Sequence, residues 1–201
     1  MKRFGYVVFV LLVCGGIWHV PLSIADETII IVRHAEKPAL GLGQLSCRGL
    51  NRSLALPSVL LSRYGNPATI YAPNPAIKKD DKGVLYAYVR PLATIEPLAI
   101  RVALPVTIDW GMTDVASLAK HLLKQGHGTQ VIAWEHHYAE ALAKQLLVNL
   151  AGNPSDVPRW EDDDFDSIYI LRVMKGSGDE RRVLFTREQE GLNGLAESCP
   201  Q

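Results

Sequence analysis

From residue 28 onward the chain alternates short unbroken apolar blocks with longer blocks in which apolar residues recur every three or four positions. Ile29-Ile30-Ile31-Val32 is β-branched throughout, the pattern of a strand covered on both faces. Residues 68–72, 106–108 and 130–134 read as further strands. Between them, Ser46 is placed to cap a helix carrying Leu50, Leu54 and Leu61, which Pro57 interrupts or kinks. Pro91 suits the first turn of a helix reaching about Arg101, with Pro97 inside it. Thr113 is placed to cap a helix with Val115, Leu118, Leu122 and Leu123 inward, ended by Gly126. Residues 138–150 predict a helix with Leu142, Leu146, Leu147 and Leu150 inward, broken at Asn153-Pro154. Residues 167–173 and 181–185, joined through Gly176-Ser177-Gly178-Asp179, read as a hairpin. Residues 73–83 hold two prolines and the run Lys78-Lys79-Asp80-Asp81-Lys82, which predicts a solvated loop at a candidate active-site rim. Strand–helix alternation without repeats predicts one α/β domain, a three-layer α/β/α sandwich on a mostly parallel sheet.

The N-terminus has a different pattern. Lys2 and Arg3 precede an apolar run from Tyr6 to Val13, and Ser23-Ile24-Ala25 follows with small residues at the positions a signal peptidase reads. Residues 1–25 are expected to be a cleaved export signal, leaving 26–201 as the domain in the periplasm or outside the cell. An uncleaved anchor is the alternative, although the apolar core is short for a membrane span. Val13 is large for lipoprotein processing at Cys14. Removing Lys2 and Arg3 takes Lys+Arg from 21 to 19 against 21 Asp+Glu, a formal net charge of −2. No basic excess points to nucleic acid, and no membrane association is expected once the signal is gone. Cys47 and Cys199 remain; in an exported chain they can pair and clip the tail to the first helix, which spacing alone leaves open.

The candidate chemistry lies where apolar blocks end in charge. The first block runs into Arg33-His34-Ala35-Glu36-Lys37-Pro38, delivering an imidazole and two cations to the carboxyl edge of the sheet. An imidazole between cations is poorly placed for a metal and well placed for a phosphate. Arg90 and Thr94, four residues apart, share one helix face. The strand at 130–134 ends in Glu135-His136-His137. No ligand set has metal spacing, and the adjacent His136-His137 pair needs distant help to hold zinc.

Arg33-His34-Ala35 resembles the nucleophile motif of the histidine phosphatase superfamily, phosphoglycerate-mutase-like branch, with Ala35 where glycine is usual. Arg90 with Thr94, the segment Val131-Ile132-Ala133-Trp134-Glu135-His136, and Trp160 followed by Asp162-Asp163-Asp164-Phe165-Asp166 resemble later elements of the family in the same order. The resemblance spans roughly residues 28–172. It implies His34 as a nucleophile forming a phosphohistidine, with Arg33, Arg90 and His136 on the phosphate and Lys37 as a more distant charge. It also implies an acid for the leaving group; Asp109 is the first candidate, then Asp114 and Glu135, unless activated substrates need none. No cofactor and no metal are implied.

The function expected is an exported, cofactor-independent phosphomonoesterase acting on a small phosphorylated molecule. The alternative is a degenerate relative that binds such a ligand without turnover. A signalling phosphatase acting on phosphohistidine in another protein conflicts with export. Substrate identity and oligomeric state are not legible.

Overall fold

The structure is a computed structural model describing residues 27–176 and 180–201. The expected export signal and residues 177–179 of the expected hairpin turn lie outside them. In chain order the elements are β1 (Glu27–Arg33), α1 (Cys47–Tyr64), β2 (Thr69–Tyr71), β3 (Lys79–Asp81), β4 (Val84–Tyr86), α2 (Arg90–Val102), β5 (Val106–Thr107), α3 (Val115–Gln125), β6 (Gly128–Trp134), α4 (His136–Asn149), β7 (Ser167–Lys175) and β8 (Arg181–Gln189), with a short 3₁₀ turn at Pro154–Asp156. Six strands form one sheet in the order β5-β2-β6-β1-β7-β8. The first four run parallel, and β7 and β8 are antiparallel at one edge.

The sheet divides two apolar cores by residue parity. Ile30 and Val32 of β1, Val131 and Ala133 of β6, and Ile168 and Ile170 of β7 face α1 and α2 through Leu56, Leu60, Ile95 and Leu98. Ile29, Ile31, Ile132, Trp134, Tyr169 and Leu171 face α3 and α4 through Leu118, Leu122, Leu142 and Leu146. Period-two side-chain alternation in strands covered on both sides gives the three layers that the unbroken apolar blocks predict.

Several local expectations are corrected. The helix after Ser46 continues unbroken through Pro57, and Ser46 caps it by accepting from the Gly49 N–H. Its inward face is Arg52, Ser53, Leu56, Pro57 and Leu60, whereas Leu50 and Leu54 are exposed, because a buried ion cluster rather than leucine fills that side. Residues 79–86 form the small β3–β4 hairpin instead of an open loop, with Asp81 buried against Arg90. Asp114, not Thr113, precedes α3, and α4, capped by Glu135, starts at His136, two residues before the predicted start. The Cys47–Cys199 disulfide joins α1 to the tail, with Cα atoms 4.4 Å apart. No helix among the described residues is long and apolar enough to cross a membrane.

Candidate active site

Register builds the site. β1 and β6 are parallel neighbours, with Arg33 opposite Trp134, so Arg33-His34 and Glu135-His136 emerge side by side at the carboxyl edge. The His34 N–H donates to the Trp134 carbonyl at 2.9 Å, locking the two strand ends together. Glycine lets the next turn close over them: a Cβ on Gly49 would lie 2.3 Å from the Glu36 carbonyl oxygen, so the first turn of α1 packs directly on the segment after His34.

His34 is buried. Its Nδ1 lies 2.8 Å from the Ala35 carbonyl oxygen. A carbonyl only accepts, so Nδ1 carries the proton and Nε2 keeps its lone pair. Burial pushes the imidazole well below its usual range, and the Arg90 and Arg33 cations push it the same way, against the Ala35 hydrogen bond. His34 is thereby held neutral and in a fixed orientation. Thr94 secures the turn, its Oγ1 accepting from the Ala35 N–H at 2.9 Å and donating to the Arg90 carbonyl at 2.8 Å. That is the shared helix face read from the sequence, used for positioning.

Arg33 is gripped by the loop before β7. One nitrogen, Nη1, donates to the carbonyls of Glu161, Asp162 and Asp164 at 3.2, 2.9 and 2.8 Å, and the guanidinium stacks 3.8 Å over the Phe165 ring. The loop is rigid because Trp160 is buried and donates to the Asp164 carbonyl, while the Asp164 carboxylate accepts from the Asp166 and Ser167 N–H groups. The segment around the acidic run, singled out in the sequence only through the resemblance, is the cradle for Arg33.

His136 stands opposite, between carboxylates. Its Nε2 lies 2.9 Å from Asp162 Oδ1 and its Nδ1 3.0 Å from Glu135 Oε1, the second contact outside hydrogen-bond geometry. Glu135 also accepts from the His137 and Tyr138 N–H groups and lies 3.5 Å from Lys79 Nζ. Burial raises the Glu135 carboxyl, but His136, Lys79 and the Tyr138 N–H more than reverse this and hold it well below the usual range. A carboxylate held ionised in this way stores no proton for a leaving group, which removes Glu135 as that acid. Asp162 is likewise held low by His136.

Arg33, Lys37, Lys79, Glu135, His136, His137, Asp162, Asp163 and Phe165 line a cleft of about 680 Å³. The expected site residues Arg33, His136 and Lys37 therefore line one cleft, while His34, next in the chain to Arg33, is buried and is not among the lining residues. Arg90 is a correction. It is fully buried, with Nη1 and Nη2 taken by Asp81 at 2.6 and 3.2 Å, and it does not line the cleft. Its charge reaches His34, while its hydrogen bonds go elsewhere. Asp109 is a second correction. It is exposed past the end of β5, a strand three places from β1 in the sheet, and it does not line the cleft. Asp114 is bound to the Gly111 N–H at 2.9 Å and lies outside the cleft as well.

Sequence reading missed Lys79 as an individual residue, along with Phe165, Asp162 and Tyr88. The charge run marked the rim but not which lysine turns inward. Tyr88 is buried, edge-on to His34 with ring centroids 6.0 Å apart, and its hydroxyl is raised by burial.

No family model and no curated protein matches the chain in sequence. Solved structures match its fold. The protein histidine phosphatase SixA complexed with tungstate is 13% identical, covering 81% of this chain and 97% of that one at a TM-score of 0.55. A structure described as mycobacterial hydrolase 2 is 15% identical over 78% and 88%, at 0.52. A mycobacterial glucosyl-3-phosphoglycerate phosphatase complexed with inorganic phosphate is 16% identical over 78% and 94%, at 0.50. The chain has the histidine phosphatase fold.

Proposed function

We propose that the protein is a phosphomonoesterase that works through a phosphohistidine on His34. The observation that carries this reading is the fixed tautomer: Nδ1 is held by a carbonyl in a buried, cation-flanked setting, leaving the Nε2 lone pair uncommitted next to Arg33. Attack by Nε2 on phosphorus expels the leaving alkoxide, and water then hydrolyses the phosphohistidine, two steps in place of one. Arg33, with Nη1 tied to the protein, offers the rest of its fork to the phosphoryl oxygens, and protonated His136 donates from the other side once Asp162 is displaced. Lys37 and Lys79 add charge at the rim. Arg90 acts on the nucleophile by keeping it unprotonated.

The acids on the cleft wall are Glu135, Asp162 and Asp163, and the first two are held ionised. This favours small phosphoesters whose leaving group needs little protonation, such as aryl esters, over alkyl esters. Export is part of the proposal, supported by the apolar leader with Ser23-Ile24-Ala25 and by a disulfide of the kind that persists in oxidising compartments. N-terminal sequencing of the protein recovered outside the cytoplasm should read from Asp26.

The test is phosphate release by the purified protein with EDTA present. p-Nitrophenyl phosphate should turn over faster than alkyl phosphates, and His34→Ala should turn over neither. Saturable phosphate binding without turnover in either form would replace this reading with a binding module, and turnover abolished by EDTA would replace the mechanism.

A further inference from the structure

The mechanism above leaves His137 unused and gives Asp162 only the task of vacating His136. Yet both imidazoles lie near one oxygen. Asp162 Oδ1 lies 2.9 Å from His136 Nε2 and 3.7 Å from His137 Nε2, and the two rings are stacked with centroids 3.9 Å apart. Two imidazole nitrogens and a carboxylate oxygen can all give electron pairs to a metal, so the hydrogen bond that joins His136 Nε2 to Asp162 can be exchanged for a shared cation. Tetrahedral zinc with bonds of about 2.0–2.1 Å sets its ligand atoms about 3.3 Å apart, and the two distances here bracket that value. Glu135 completes the arrangement. Its Oε1 lies 3.0 Å from His136 Nδ1, a buried atom without a hydrogen-bond partner, close to where an outer carboxylate accepts from a metal-bound imidazole. Glu135, His136 and His137 also offer ligand atoms within 4.8 Å of one another. The long-range help that adjacent histidines lack in sequence comes from the loop before β7.

We propose that His136, His137 and Asp162 form a site for a divalent d-block cation such as Zn2+, and that filling it inhibits the enzyme. Two imidazoles and one carboxylate suit zinc, copper or nickel and are a poor match for magnesium or calcium, which prefer oxygen. The bound cation takes His136 Nε2, the donor that would otherwise meet the phosphate. The fourth position is open to water or phosphate from the cleft. Binding itself is independent of the phosphatase reading, whereas inhibition rests on it.

Titration of the EDTA-stripped, dialysed protein with Zn2+ by calorimetry should show one ion per chain, with no comparable signal from Mg2+. Affinity should fall at least about tenfold in His137→Ala and in Asp162→Ala, and stay unchanged in His34→Ala. His137→Asn, closer in shape, serves if the alanine variant fails to fold. Zn2+ should inhibit p-nitrophenyl phosphate turnover at concentrations that leave His137→Ala working, and EDTA should restore it. Absence of stoichiometric binding, or equal affinity in the His137 and Asp162 variants, overturns the site. Because His34→Ala binds zinc without turnover, a failed phosphatase assay leaves the titration decisive.

Discussion

The ends of β1 and β6 are built alike and wired oppositely. Each is a buried parallel strand that runs into a charged residue followed by histidine, and the two lie in register. At the end of β1 the histidine sits among cations, with Arg33 beside it and Arg90 behind, and its ring is held neutral. At the end of β6 the histidine sits among anions, with Glu135 on one ring nitrogen and Asp162 on the other. In the proposed mechanism the same residue type does opposite work, a nucleophile on one strand and a donor on its neighbour. Backbone geometry brings the two strand ends together, and charges borrowed from other elements set their histidines apart.

His34→Ala removes the nucleophile and should lower kcat for p-nitrophenyl phosphate by well over about 10³-fold, read by stopped assays at high enzyme concentration. His136→Ala, on the other strand, removes a transition-state donor and should cost about 10²–10³ in kcat. Equal losses in the two variants would erase the distinction between them.

Asp81→Ala tests what keeps the cationic side in order. It strands the buried Arg90 guanidinium without its carboxylate, and chemical denaturation should show a loss of about 3–5 kcal/mol. Cys199→Ser is the control remote from both strand ends. Opening a disulfide that spans 152 residues should cost about 2–5 kcal/mol in stability, with kcat per folded molecule retained.

The smallest effect is in pH. His34 attacks only when unprotonated, and its folded-state pKa is depressed below the ordinary 6.5 by burial, then by Arg90 and Arg33. As pH falls, the active form should persist through 6.5 and be lost only below it. The acid limb of kcat/KM should therefore lie below 6.5, and a limb at or above that value would contradict the cation-flanked setting.

The layer order was legible before any coordinates. Ile29-Ile30-Ile31-Val32 and Val131-Ile132-Ala133-Trp134 have no polar face, and a strand without one must be covered on both sides. The placement of Arg33-His34 and His136 at strand ends followed from the same blocks. The pairing of Arg90 with Asp81 was not legible, because a carboxylate in a run of five charges carries no mark of which one turns inward. The leucines of α1 misled in a similar way: Leu50 and Leu54 repeat at helical spacing, yet the inward position is filled by Arg52, bound to Glu36, Asp166 and Glu190. Asp109 looked apt from its place after a strand, but distance in the sheet depends on strand order.

Hydrophobic pattern thus determined the strands of the main sheet, the helices that cover it and which strand ends carry charge, since apolar periodicity is set by residues close together in sequence. Tertiary structure decided which strands are neighbours and which ion pairs with which. Those choices depend on register and on groups far apart in the chain, such as His34 with Arg90 and His136 with Asp162, and electrostatics acts across space without regard to sequence separation.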